Sequence, residues 1–304
     1  MVGALLLAAC QSATLVEELV PDDVVLVGTG PEPETRLLAE LAAALVREGG
    51  MAAAVVELAD TDDARRALEI GDVDVLPSYT GEAWLRVLGR ADPPSDQATS
   101  LARVREFDEQ RGLLWLRPRV SPSRDLAAPP ADATFAFVVQ GAPGPHADVV
   151  TLSQLASRLA QLEAPTLCVD PSFAQREDGL AAVLDAYSVA PGSVEVLAVA
   201  PADAVLGVAA GGCDAGLTSA TDGRAWRAGQ RPLLDDLGVF PAFVVAPVVR
   251  DASLRAYPGL EAALDPMLTG LTTAWLGIWN ARVAGGESAG FVAREAVLEL
   301  LRAS

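Results

Sequence analysis

Short apolar runs alternate with segments patterned as amphipathic helices along most of this chain, and this alternation restricts the folds open to it. The run 24–27 ends in the turn Gly28-Thr-Gly-Pro31, and the helix that follows places its leucines on one face before Gly49-Gly50 stops it. Apolar runs at 53–58 and 73–76 flank a second helical segment. Strands and helices that alternate at this length predict right-handed βαβ units and a parallel sheet.

A second alternation follows a segment rich in Pro, Ser, Ala and Asp at 118–133, which predicts a connection between two αβ blocks. The chain then ends in a helical stretch over 259–301, which should return to the first block. We therefore expect residues 22–117 and 223–304 to form one lobe, residues 118–222 the other, and residues 1–21 to lie outside both.

The charge balance excludes several classes of partner. The 304 residues include 41 acidic and 22 basic side chains, no lysine among them, for a formal net charge of −19. No basic patch is available to neutralise a run of phosphates, which argues against nucleic acid, and against docking on anionic lipid by charge. Solubility is a sufficient explanation of the acidity itself.

Few residues offer catalytic or metal chemistry. The single histidine, His146, lies in a Gly/Pro-rich stretch and is expected to be solvated, which removes most catalytic triads and His-based metal sites. Cys168 and Cys213 lie in strand-like runs, where they either pair in an oxidising compartment or stay buried as free thiols. We expect no enzyme activity, no metal and no cofactor.

The first ten residues resemble a bacterial lipoprotein signal. Leu7-Ala-Ala-Cys10 ends a short apolar run with small residues, the pattern in which the cysteine is lipidated and becomes the first mature residue. The expectation is an extracytoplasmic protein anchored to the outer face of the cell membrane through Cys10; the alternative is an apolar N-terminus on a soluble protein. No later stretch holds the roughly 18 uncharged apolar residues of a membrane helix.

Three polar, Gly-rich loops directly follow predicted strands. Ligands of open parallel sheets bind at the carboxyl ends of the strands, so these loops are the candidate site. They contain Gly28 and Thr29 after the first strand, Tyr79, Thr80 and Glu82 after the third, and Ser219, Thr221 and Asp222 after the strand that follows Cys213.

Five motifs follow one another in order over about residues 22–301. They are Gly71-Asp-Val-Asp-Val-Leu-Pro-Ser-Tyr-Thr-Gly81, Phe173 with Arg176-Glu-Asp-Gly179 and Tyr187, Gly212-Cys-Asp214 with Thr221-Asp-Gly223, Leu234-Asp-Asp-Leu-Gly-Val-Phe-Pro241 with Pro247-Val-Val-Arg250, and Trp279-Asn280 with Val283. Together these motifs resemble those of the glycine betaine, choline and osmoprotectant-binding proteins of ABC importers. The resemblance implies a type II periplasmic-binding fold, in which two αβ lobes joined by two crossings close over a ligand in the cleft between them.

The same resemblance implies a quaternary ammonium ligand held by aromatic rings, with Tyr79 as one wall. Phe135 is either a further wall or a core residue. Arg176 matches a family arginine and either binds a ligand carboxylate or forms an interlobe ion pair with Glu82 or Asp222. Thr221 and Asp222 are either ligand contacts or a helix cap.

Two departures from the family pattern change the expected ligand. Gly30 stands where the family commonly has lysine, and Glu82 stands where it commonly has threonine. The site therefore loses a cation and gains an anion, and a cation without a carboxylate, such as choline, should fit better than glycine betaine.

The sequence thus predicts the solute-binding component of an ABC importer, which delivers a small ligand to a permease and ATPase encoded as separate chains. Two alternatives remain open at this point: a divergent member that binds another small polar or cationic solute, and an enzyme on the same fold.

Overall fold

The structure is a computed structural model that describes residues 23–119, 130–176, 178–190 and 192–303. Its strands are β1 (Val24–Thr29), β2 (Ala52–Glu57), β3 (Val75–Tyr79), β4 (Leu113–Trp115), β5 (Phe135–Gln140), β6 (Thr166–Val169), β7 (Glu195–Ala198), β8 (Ala215–Ser219), β9 (Gln230–Pro232) and β10 (Val245–Arg250). Its α-helices are α1 (Pro33–Glu48), α2 (Thr61–Ile70), α3 (Thr80–Glu82), α4 (Gln97–Glu109), α5 (Leu152–Leu159), α6 (Pro171–Gln175), α7 (Leu180–Ala186), α8 (Pro201–Ala209), α9 (Gly223–Arg227), α10 (Asp251–Ala256), α11 (Leu260–Gly270), α12 (Thr273–Ala284) and α13 (Ala289–Ala303). One π-helical turn, Ala83–Val87, continues α3.

The strands form two separate five-stranded sheets, which confirms the expectation of two αβ lobes. The first lobe contains the sheet ordered β2-β1-β3-β10-β4, and the second lobe contains the sheet ordered β7-β6-β8-β5-β9. In each sheet the βαβ units pair in parallel, while β10 in the first and β5 in the second run antiparallel to their neighbours.

Helix α1 occupies the centre of the first lobe. Pro33 occupies its first turn, where a missing N–H costs nothing, and Gly50 in the left-handed region follows its end. Its leucines Leu37, Leu38 and Leu41 are fully buried between the sheet and helices α11 and α13. The first turn of α1 is thereby held at the carboxyl ends of β1 and β3.

One segment of the expected first lobe belongs to the second. Strand β9 pairs with β5, and both Leu233 and Phe240 pack in the core of the second lobe. The edge of β5 requires a partner for its backbone groups, and the segment after α9 supplies it. Ala225 of α9 packs with Val138 and Val205 of the second lobe as well, so the expected return at residue 223 is wrong for residues 223–240.

The second lobe also buries the only histidine. His146 is 3% exposed, and its Nε2 lies 3.0 Å from Oδ1 of Asp214, whose Oδ2 accepts a hydrogen bond from the Thr166 amide. The expected solvated histidine is wrong, because its loop folds inward against the ends of β6 and β8. Cys168 and Cys213 are joined in a disulfide with a Cα–Cα distance of 5.8 Å.

Two chain segments cross side by side between the lobes, at 131–134 and 240–244. Asp132 fastens them together, because its carboxylate accepts hydrogen bonds from the amides of Phe243 (2.8 Å) and Thr134 (3.1 Å) and from the side chain of Gln97 (2.9 Å). Ala133 adds a backbone hydrogen bond to Phe243. This crossing pair is where the lobes can rotate about each other.

Helices α9 and α12 form a second contact between the halves of the molecule. Two glycines permit it: a methyl group on Gly223 would overlap the Asn280 carbonyl, and one on Gly277 would overlap the indole of Trp226.

The expected C-terminal helices are confirmed as α11, α12 and α13, whereas Cys10 and most of the 118–133 connection lie outside the described residues. None of the helices within the described ranges is long and apolar enough to span a bilayer.

Candidate functional site

A cleft of about 470 Å³ lies between the lobes, at the carboxyl ends of β1 and β3 and beside the crossing pair. Its walls come from α1, α2, the β3–α3 turn, the π-helical turn, the crossing pair and the end of β8. The lining residues are Glu32, Glu34, Thr35, Thr61, Tyr79, Glu82, Leu85, Arg86, Ala133, Ser219 and Phe243.

Tyr79 is the last residue of β3, and its ring forms one wall of the cleft. The side chain is 9% exposed, and its hydroxyl donates a hydrogen bond of 2.7 Å to Oε1 of Glu34. Burial, and then the negative charge of Glu34, hold the pKa of the Tyr79 hydroxyl well above its usual range. The tyrosine therefore stays neutral and is fixed in orientation.

Phe243 provides a second aromatic wall; it is far from Tyr79 in the sequence but lines the same cleft. Its ring lies directly over Gly81, where an added methyl group would meet three ring atoms at 2.6–2.7 Å. Thr80 holds the segment that carries this ring, because its hydroxyl donates to the Ala242 carbonyl (3.2 Å) and accepts from the Val244 amide (3.0 Å). Thr80 is thus fully buried and positions Phe243 without lining the cleft.

Glu34 is an acidic residue in the first turn of α1 that the sequence reasoning missed. Its carboxylate accepts hydrogen bonds from Tyr79, from the side-chain amide of Asn280 and from the hydroxyl of Thr221. Burial raises the pKa of Glu34, and the three hydrogen bonds oppose that rise. Only its position one helical turn after the first candidate loop could have drawn attention to it.

Glu82 and Arg86 complete the first-lobe wall. Arg86 pairs with Glu82 (Nε to Oε1, 3.4 Å) and with Asp62 (3.1 Å), while burial raises the pKa of Glu82. Among the described residues that line the cleft, three are carboxylic acids and Arg86 is the single guanidinium. The electrostatic potential of the cleft consequently favours a cation.

The second lobe contributes less of the lining than the sequence suggests. Ser219 reaches the cleft and donates to the Ala133 carbonyl (3.1 Å). Thr221 is 1% exposed and contacts Glu34 beside the cleft. Asp222 caps α9 and pairs with Arg224, so it does not line the cleft.

The remaining candidate residues lie away from this lining. Arg176 pairs with Asp178 in the second lobe, and neither Glu82 nor Asp222 is its partner. Phe135 packs on Phe173 and Phe240, with ring centroids 5.2 and 6.2 Å away. Gly28 packs against Val73, and the Thr29 hydroxyl bonds the Gly30 carbonyl (3.0 Å). The ligand roles given to these residues stay predictions.

A second cavity of about 380 Å³ shares Thr61, Tyr79, Glu82 and Arg86 with the cleft but is lined only by residues from Thr61 to Trp115. All of these belong to the first lobe, so rotation of the lobes would not enclose a ligand there. The interlobe cleft is the candidate site on this ground. Within the described ranges, no group of three or more His, Cys, Asp or Glu side chains is arranged to hold a metal.

Two αβ lobes, a paired crossing that serves as a hinge and a concave site between them define a two-lobed solute-binding protein. Residues 23–299 match the family described as the substrate binding domain of the ABC-type glycine betaine transport system. The chain belongs to this family, and its fold is that of the type II periplasmic binding proteins.

Similar proteins agree with this assignment. The chain is 30% identical over 257 residues to a glycine-betaine-binding protein of Pseudomonas aeruginosa, covering 82% of this chain and 79% of the relative. It is 28% identical over 268 residues to the glycine betaine-binding protein YehZ of Escherichia coli, covering 86% and 85%. The solved apo structure of YehZ superposes with a TM-score of 0.79 at 26% identity, covering 90% of this chain and 98% of that one.

Proposed function

We propose that this protein captures a small quaternary ammonium compound in the interlobe cleft, performs no chemistry on it, and presents it to the permease of an ABC importer. The observation that supports the ligand class is the pairing of two aromatic walls, Tyr79 and Phe243, with a predominantly acidic lining. An aromatic face and a carboxylate both attract a cation that cannot donate hydrogen bonds. The relatives named above are glycine betaine-binding proteins.

The charge of the lining supports a preference within that class. Arg86, the single guanidinium among the described lining residues, is shared between Asp62 and Glu82. A ligand carboxylate would thus meet Glu32, Glu34 and Glu82 without an unpaired cation to hold it. We infer that choline, which has a hydroxyl in that position, binds more tightly than glycine betaine.

Titration calorimetry with choline, glycine betaine and tetramethylammonium tests both steps. Saturable binding of choline with a weaker response to glycine betaine is the expected result. Tyr79→Ala and Phe243→Ala should each weaken choline binding by about 2- to 30-fold, corresponding to about 0.5–2 kcal/mol per ring. Glu57→Gln, a charge change outside the cleft on β2, serves as the control. Tighter glycine betaine binding would overturn the preference, and no binding of any of the three would overturn the ligand class.

We further propose that the mature protein is extracytoplasmic and held at the membrane through a lipid on Cys10. The family and the small-residue sequence before Cys10 support this. Metabolic labelling with a radioactive fatty acid should mark the wild type and not Cys10→Ser. Equal labelling of the two proteins would contradict the anchor without affecting the ligand proposal.

A further inference from the structure

The carboxylate of Glu34 lines the ligand cleft and accepts hydrogen bonds from residues of both lobes. From the first lobe it accepts hydrogen bonds from the Tyr79 hydroxyl (2.7 Å) and the Asn280 amide, and from the end of the second lobe it accepts one from Thr221. Asn280 also donates to the Thr221 carbonyl (2.9 Å). Each of these hydrogen bonds comes from an uncharged donor. The donors stabilise the carboxylate as water would, but they do not cancel its negative charge.

The charged groups around Glu34 are nearly all acidic. Glu32 directly precedes α1 and Glu82 ends α3, and both line the same cleft as Glu34. Asp222 acts on Glu34 from the cap of α9. The guanidiniums nearby are engaged elsewhere: Arg86 with Asp62 and Glu82, and Arg224 with Asp222. Among the described residues no arginine pairs with Glu34. A bound cation would therefore be its first positively charged neighbour.

We propose that Glu34 is the specificity-determining residue of the cleft, and that it exchanges its proton for the bound cation. At a pH where the free carboxyl is protonated, entry of a quaternary ammonium group sends the proton to solvent, and the carboxylate becomes the counter-ion. Charge is conserved in the exchange, since one positive charge enters the site for each proton released. The inference rests on the proposed function, because it requires the ligand to lie in this cleft.

The direction of the pH dependence follows from the surroundings of Glu34. Burial raises its pKa in the free protein, and a cation in contact lowers it. Between those two values the free protein holds a proton that the complex lacks, so affinity for a cation rises with pH across that interval. Each unit by which the ligand lowers the pKa makes the affinity about tenfold larger above the interval than below it.

Glycine betaine should depend on pH less than choline. Its own carboxylate brings a negative charge within the same small cleft, which offsets the attraction between its ammonium group and Glu34. The ratio of choline affinity to glycine betaine affinity should then increase as the pH rises. Glu34 would thereby act as a selector between a cation and a zwitterion with the same head group.

Calorimetry of choline binding in two buffers of different ionisation enthalpy counts the protons released directly in the wild type. We expect a fractional proton release that is present at acid pH and disappears as the pH rises above the pKa of Glu34 in the free protein. Over the same interval the affinity should rise by about tenfold for each unit by which choline lowers that pKa. Glu34→Gln should abolish most of the release and flatten the pH profile. In this variant the side-chain carbonyl oxygen at residue 34 can still accept a hydrogen bond from Tyr79 or Asn280. The near-ultraviolet circular dichroism spectrum checks that the packing of the variant is unchanged.

Glu82→Gln is the matched control. It also removes one acidic group from the cleft, but Glu82, unlike Glu34, already has an arginine partner. It should lower choline affinity while leaving at least half of the proton release in place. The inference is overturned if Glu34→Gln releases protons as the wild type does, or if Glu82→Gln loses the release instead. Wild-type binding without proton release also overturns it, whereas failure of the wild type to bind at any pH rejects the proposed function itself.

Discussion

The contact between Gly81 and Phe243 predicts that Gly81→Ala destabilises the wild-type protein but stabilises the Phe243→Ala variant. A methyl group at residue 81 would lie 2.6 Å from the nearest ring carbon, whereas carbon atoms in favourable contact are about 3.5–4.0 Å apart. The overlap of about 1 Å has to be relieved by moving the ring. Gly81 is not among the glycines in the left-handed region, so alanine is compatible with its backbone.

Two opposing terms set the magnitude. Overpacking costs about 1–3 kcal/mol, and replacing glycine by alanine within a helix returns up to about 1 kcal/mol. We expect Gly81→Ala to destabilise the protein by about 1–2 kcal/mol. The displaced ring should also weaken choline binding by about 2- to 30-fold, the value of one cation–π contact.

The Phe243→Ala background removes the atoms that the methyl group meets. In that background Gly81→Ala should stabilise the protein by up to about 1 kcal/mol, since only the helix term remains. Urea denaturation of the four proteins in a double-mutant cycle measures this change of sign. Equal destabilisation in both backgrounds, or a Gly81→Ala variant that binds choline as the wild type does, would refute the packing and the site.

Three further predictions follow from the interlobe contact, the disulfide and the buried acid. Gly277→Ala should lower stability by about 1–3 kcal/mol because its methyl overlaps the Trp226 indole, while Gly212→Ala, which meets only a carbonyl at 3.6 Å, should change thermal stability little. Cys168→Ser opens a loop closed over 45 residues and should cost about 4 kcal/mol in chemical denaturation; a loss under about 1 kcal/mol would contradict this. Burial raises the folded-state pKa of Glu34, so its contribution to stability is lost as pH rises through that value. Glu34→Gln should therefore raise Tm at pH 7.5 but not at pH 4, and an equal shift at both pH values would contradict this.

The sequence predicted the parts of the fold that depend on local patterns. The apolar run 24–27 became β1, and the leucines of α1 are buried on one face, because both patterns are set by residues close together in the chain. Strand β9 was missed, since its three residues have no apolar alternation and become a strand only by pairing with β5.

The sequence predicted where the candidate site lies, at the ends of the strands, but it did not predict two of the residues that line it, Phe243 and Glu34. Tyr79 lines the cleft as expected for a residue at the end of a strand. Phe243 and Glu34 become neighbours of Tyr79 only through the crossing pair and the packing of α1, across separations that no local pattern encodes. Arg176 was expected near the site because of its motif, yet Asp178, two residues later, satisfies its guanidinium first.

The position of β10 within the first sheet determines the order in which the molecule can be assembled. This strand lies between β3 and β4, yet it is translated after every strand of the second lobe. A nascent or newly exported chain that lacks β10 has a gap between β3 and β4, so β4 has no partner strand and one edge of β3 is unpaired. The second lobe, whose strands are contiguous in sequence, is complete earlier, so it can fold as a unit while the first lobe waits for its last strand.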